Sequence, residues 1–159
     1  MSFHIVQRKR TLVAGLPVRS PRRPLGKLRD RDLERAWHAV LKQELGGPLA
    51  SAYTDPAEEV GSYYTQTVGY QCDSLDQVTP GHIVSWVPAG TYAKFSSTGS
   101  FPGVVADLWE QIHDAESSGA IVRSFVGDFE FYPHAYAIDL YVSISLPDHV
   151  GSSKDVGVQ

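Results

Sequence analysis

The chain has little of what several function classes require. Its 159 residues include one cysteine, Cys72, and one methionine, Met1. An internal disulfide is therefore excluded, and a lone strand cysteine reads as a small buried apolar residue before it reads as a nucleophile. Without further methionine the core is not an adaptable thioether-lined groove. The six histidines, at 4, 38, 82, 113, 134 and 149, are scattered, and neither His-x-x-x-His nor Cys-x-x-Cys occurs, so no metal site is expected. No glycine-rich phosphate cradle is present, and no cofactor is expected. A Ser–His–Asp triad could be chosen from so many serines only arbitrarily. No apolar run approaches the roughly 20 residues that span a bilayer, and the opening MSFHIVQRKR has no apolar signal core. A cytoplasmic location without membrane contact is the expectation.

Positive charge is scarce through most of the chain. Ten of the fourteen Lys and Arg lie in residues 1–35 with three acids, whereas residues 36–159 hold four bases and fifteen acids. The larger, acidic part argues against direct nucleic-acid binding and favours a cationic partner. The basic stretch is broken by Leu and Pro and reads as a solvated loop. What the chain does have is aromatic side chains, with eight Tyr, six Phe and three Trp, and 42% hydrophobic residues, enough for a substantial core.

Element order reads as two similar halves. Phe3–Leu16 suggests a strand, Pro17–Lys27 a loop, and Asp30 a helix N-cap. A helix follows, with Leu33, Trp37, Val40, Leu41 and Leu45 on one stripe, ended by Gly46-Gly47-Pro48. Leu49–Thr54 and Tyr63–Cys72 read as strands, with a turn at Asp55-Pro56 between them. After a polar connection, His82–Val87 is a short strand. Pro88-Ala89-Gly90 turns or bulges it, and Thr91–Phe95 continues it. Ser100 can cap a second helix, with Pro102 in its first turn and Phe101, Val104, Val105, Leu108, Trp109 and Ile112 on its apolar face. Ser124–Tyr132 and Ala137–Leu146 are the last strands. The expected fold class is α+β: a duplicated βαββ antiparallel sheet with two helices on one side. Residues 1–150 are expected to form a single domain, with repeat one at about 3–72 and repeat two at about 82–146. Residues 151–159 read as a flexible tail.

The stretch Gly127-Asp128-Phe129-Glu130-Phe131-Tyr132 carries the functional signal. Strand alternation sends Phe129 and Phe131 to one face and Glu130 and Tyr132 to the other. A carboxylate among rings is either a wet edge charge or the floor of a cation pocket. Each ring adds roughly 0.5–2 kcal/mol of cation–π attraction. Candidate rings are Trp37, Tyr70, Tyr92, Trp109, Tyr132 and Tyr141.

Residues Ile83–Gly99, Leu108-Trp109-Glu110-Gln111-Ile112, Ser118-Gly119, Asp128–Tyr132 and Ile138–Ile144, with Val68–Cys72 before them, resemble the GyrI-like (gyrase-inhibitor-like) effector-binding domain of AraC-type and MerR-type regulators. The resemblance is close from Tyr63 to Leu146 and covers the first sixty residues by element order alone. It implies a ligand pocket between the two repeats, in which Glu130 meets cationic, multidrug-like ligands beside Trp109 and Tyr132. His113-Asp114-Ala115-Glu116 and Ala120 depart from the family's Trp-Leu-Pro step and its aromatic near Ser-Gly. The basic stretch before the first helix is too short and Pro-broken for a helix-turn-helix, so a stand-alone binder of small organic cations is expected, regulatory or sequestering. Two alternatives stand beside it. One is a hydrolase of strained electrophiles using Glu130 with Tyr92 or Tyr141. The other is a protein-interaction module, topoisomerase-inhibitor-like or homodimeric.

Overall fold

A computed structural model describes residues 3–21, 31–43, 45, 47–54, 63–101 and 103–146. The expected Asp30 cap, the turn at Asp55-Pro56, Pro102, the loop from residue 22 to 27 and the tail at 151–159 lie outside the described residues. The chain runs β1 (His4–Arg8), β2 (Thr11–Pro21), α1 (Arg31–Leu41), β3 (Leu49–Thr54), β4 (Tyr63–Cys72), a 3-10 turn at Leu75–Gln77, β5 (Ile83–Val87), β6 (Gly90–Thr98), α2 (Gly103–Ser117), β7 (Arg123–His134) and β8 (Ala137–Ile144). The strands form one antiparallel sheet in the order β1-β6-β8-β7-β3-β4-β2-β5. The fold is the expected α+β class, and its two βαββ units, β2-α1-β3-β4 and β6-α2-β7-β8, meet where β3 pairs with β7.

Two boundaries depart from the sequence reading. The first strand is two strands, broken at Lys9-Arg10, and β2 continues through Pro21 instead of ending before Pro17. Beyond Gly15 the described part of β2 has β4 on one side and no strand on the other. A proline there forfeits no ladder hydrogen bond if its nitrogen faces outward. Likewise β6 does not extend β5 but crosses to the far side of the sheet. Leu41 and Leu146, expected inside, are 58% and 51% exposed.

The short links dictate the sheet's shape. Two residues join β1 to β2, and two join β5 to β6, yet each pair stands six strand positions apart in the sheet. Flat, that separation would be roughly 29 Å. Three Cα steps reach at most about 11 Å. The sheet must therefore curl until its edges approach. Curling encloses the face away from the helices, which explains why Val13, Ala50, Ala52, Val87, Tyr92, Phe129 and Tyr141 form a buried cluster there. Gly15 and Gly69 pair across β2 and β4, and an added Cβ on either residue would overlap backbone of the other strand.

The helices cover the opposite, outer face. Val104, Leu108, Trp109, Ile112 and Ala115 of α2 pack on Phe95, Ile138, Leu140 and Val142. Ala36 and Trp37 of α1 pack on Val18 and Val68.

Candidate functional site

The helix-side face of β7 at the seam between repeats carries Glu130. Its backbone stands opposite Ser51 of β3 and Leu140 of β8. The carboxylate is sealed, with the residue 1% exposed. Burial of a carboxylate costs several kcal/mol unless its oxygens find donors. Three are supplied by three elements. Tyr53 of β3 donates its hydroxyl to Oε2 at 2.7 Å, Trp109 of α2 donates its indole N–H to Oε2 at 2.9 Å, and Tyr132 of β7 donates to Oε1 at 2.7 Å.

Each donor is held by rings. Trp109 meets Tyr53 edge-on at 5.5 Å. Tyr132 meets Trp37 of α1 edge-on at 5.5 Å and Phe101 at 6.0 Å. Thus α2 sends its tryptophan to the carboxylate, and α1 sends its own to brace a second donor. Phe101, half exposed, and the partly buried Tyr132 form the outer layer.

Desolvation raises the Glu130 pKa. The hydrogen bonds from Tyr132, Trp109 and Tyr53 pull it back, Asp128 adds to the rise, and the net direction is up. Burial, then the Glu130 charge, lifts Tyr53 and Tyr132 well above the usual phenol value, so both are neutral donors near pH 7. Beneath them lies a second buried charge system. Arg123 is ion-paired with Asp128, which also accepts the Ser143 N–H at 3.0 Å. The Arg123 guanidinium lies 4.3 Å over Phe125 and 5.3 Å from the Trp109 ring. Phe125, at φ 56°, sits in the irregularity of β7 that permits this arrangement. Beside Glu130 across the seam, Gln66 donates to Ser51 Oγ at 2.8 Å, both residues sealed.

Of the residues singled out from sequence, Glu130, Trp109 and Tyr132 are in direct contact, and Trp37 joins through Tyr132. Tyr92 and Tyr141 lie on the enclosed face. The Tyr92 hydroxyl donates to the Pro88 carbonyl at 2.6 Å, and burial pushes its pKa up to about 12. Tyr141 lies beside Phe129, with the Arg8 guanidinium 4.2 Å over its ring. Tyr70 is at the far end of β4, where its hydroxyl accepts the Thr79 N–H and meets His82 Nδ1 at 2.8 Å. Tyr53 escaped the sequence reading. Its only signal was its place on the strand equivalent to β7 in the first repeat. Among the described residues no cluster of His, Cys, Asp and Glu could hold a metal ion.

The family model of the integron-associated effector-binding proteins, Cass2, matches residues 4–144. The chain belongs to that family. No curated protein matches. Among solved structures, an integron cassette protein from Vibrio cholerae is similar over 90% of this chain and 95% of its own, at 20% identity and a TM-score of 0.74. The structure of SAV2435 bound to tetraphenylphosphonium is similar over 91% and 94%, at 12% identity and 0.64. A third, a putative bacterial transcription regulation protein from Staphylococcus aureus MU50, covers 92% and 99%, at 14% identity and 0.60. At these identities the likeness is one of fold, and it agrees with the GyrI-like architecture. Like other effector-binding proteins, this one is a binder of small molecules, and no helix among its described residues is long and apolar enough to cross a membrane.

Proposed function

We propose that this effector-binding protein takes an amphipathic aromatic cation of the multidrug type at Glu130, and that it works in the cytoplasm in a regulatory or sequestering role. The observation that carries the reading is a sealed carboxylate held by three neutral donors among four rings, those of Tyr53, Trp109, Tyr132 and Trp37. The arrangement keeps a negative charge ready in a low dielectric, and among the described residues the side chains hydrogen-bonded to it are the neutral Tyr53, Trp109 and Tyr132. A carboxylate has about four acceptor positions, and three are filled. A ligand whose charge is spread over aromatic groups, such as a phosphonium or quaternary ammonium, needs none of them. It is held by Coulomb attraction and by ring faces. Access runs through the outer layer, by displacement of Tyr132 and Phe101. The regulatory half of the reading draws on the resemblance to AraC-type and MerR-type effector modules and on the fold shared with a putative transcription regulator.

Tryptophan fluorescence reads the test, because Trp37 and Trp109 border the site. Titration with tetraphenylphosphonium should saturate, a neutral tetraphenyl isostere and an anionic dye should not, and Glu130→Gln should weaken the cation roughly tenfold or more. Glutamine fits the cage, since its oxygen can accept from Tyr53 and Trp109 while the Tyr132 hydroxyl turns to accept its amide. Equal affinity for both proteins would sink the reading.

The upward-shifted Glu130 also favours a second reading, hydrolysis of strained electrophiles with Glu130 as base. The hydroxyls that touch Glu130, and so would carry the proton, are those of Tyr53 and Tyr132. A product assay on such ligands separates the readings, because a binder returns them unchanged.

A further inference from the structure

Building on the Glu130 reading above, on which this rests, we propose that the ligand has two parts. Its cationic centre lies at Glu130, and a neutral hydrogen-bonding group, a hydroxyl or an amide, lies at Ser51 and Gln66.

Strand pairing places the site on a two-fold. Across the helix-side face runs one row of paired residues, Leu16, Val68, Ser51, Glu130, Leu140 and Phe95. The row reads apolar, apolar, polar from either end, and its centre lies between Ser51 and Glu130. Half a turn about that centre exchanges the repeats, because β3 and β7 run antiparallel. It sets Tyr53, two positions after Ser51, in the place of Tyr132, two positions after Glu130. The helix tryptophans obey the same exchange. Trp109 meets Tyr53 edge-on at 5.5 Å, and Trp37 meets Tyr132 edge-on at 5.5 Å. The rings of the two halves therefore match, and Ser51 stands where a matching first repeat would carry a carboxylate.

That mismatch defines what each half can hold. One half offers a charge and the other a neutral pair. Gln66, opposite Tyr53 on β4, donates to Ser51 Oγ at 2.8 Å, and the two residues are 1% and 0% exposed. Apart from that bond, no described residue hydrogen-bonds to either side chain. Sealed polar groups normally have their partners. The Gln66 carbonyl oxygen and the Ser51 hydroxyl proton are left for a ligand. Gln66 lies two strands from Glu130, roughly 10 Å across the sheet, within the breadth of a triaryl cation centred between them. A dication with two like ends would set one charge against Ser51 with no carboxylate to meet it.

Tryptophan fluorescence titration of the full chain compares tetraphenylphosphonium with its para- and meta-hydroxymethyl derivatives, which add one alcohol to one ring. The better derivative should bind roughly fivefold tighter than the parent, the worth of one hydrogen bond. Gln66→Leu should abolish that preference, and Ser51→Ala should reduce it. Glu130→Gln should weaken parent and derivatives together. Native binding of both derivatives no tighter than the parent overturns the proposal. So does a preference that survives Gln66→Leu or, where that protein departs from the native circular dichroism spectrum, Ser51→Ala. Failure of the Glu130 reading looks different: none of the three cations binds, or all bind the Glu130→Gln protein at native strength, and either result overturns this proposal as well.

Discussion

Glu130 binds a proton more tightly in the folded chain than a free carboxyl does, because burial outweighs its three hydrogen bonds. The folded state therefore keeps that proton at pH values where the unfolded chain, with a carboxyl near 4.3, has released it. Stability is greatest below the unfolded value and declines as pH rises through the folded one. Urea unfolding across pH 4–8 should show this decline in the native chain, on top of the other titrations, and Glu130→Gln should remove it. The same proton competes with the proposed cation. Affinity should weaken as pH falls through the raised Glu130 value, with proton release on binding measurable by calorimetry in two buffers of different ionisation enthalpy. A pH-independent affinity in the native protein would place the ligand away from Glu130. Tyr53 shows why residue-level reading was incomplete. Glu130 and Tyr132 share a strand face two positions apart, which alternation reveals. Tyr53 lies 77 positions away, and only strand pairing brings it to the carboxylate.

At the scale of elements, the helices and most strands were legible because their apolar spacing is regular. The stripe Val104, Leu108, Trp109 and Ile112 is buried as its period requires. β8 was legible on one face only. Ile138, Leu140, Val142 and Ile144 are inside, but so are Tyr141 and Ser143, because the curled sheet covers both sides. The close approach of β2 and β4 rests on two paired glycines, Gly15 and Gly69. At Gly69 an added methyl would meet the Ala14 carbonyl, and backbone cannot swing aside as a side chain can. Gly69→Ala should cost about 2–4 kcal/mol in urea unfolding. Gly103→Ala, in open space at the start of α2, should be neutral or stabilising by up to about 1 kcal/mol. Equal effects at the two sites would show that the close approach of β2 and β4 is not what requires glycine.

At the scale of the molecule, the halves are tied by exchange. β1 precedes the first repeat but pairs with β6 of the second, and β5 precedes the second but pairs with β2 of the first. Each repeat therefore completes the sheet of the other. Removing residues 1–8 should uncover β6, the Phe3–Phe95 stacking and the packing of Val6, and lower unfolding stability by roughly 2 kcal/mol or more. All three donors to Glu130 would remain. The truncated chain, at a temperature where it stays folded, should bind tetraphenylphosphonium within about threefold of the full chain. A large loss of affinity in that folded protein would show that the enclosed face is coupled to the site.

The sequence by itself determined the α+β class, the repeated element order, the lack of a second cysteine for an internal disulfide, and that Glu130 and Tyr132 share one face of their strand. These follow from local periodicity and composition, which neighbouring residues encode. Only the tertiary structure decided that Tyr53 completes the carboxylate's donors, that Tyr92 and Tyr141 stand on the far face, and that the sheet closes over itself. Those facts depend on which strands pair across the chain, and pairing is set by the energy of the assembled sheet, not by any one stretch of residues.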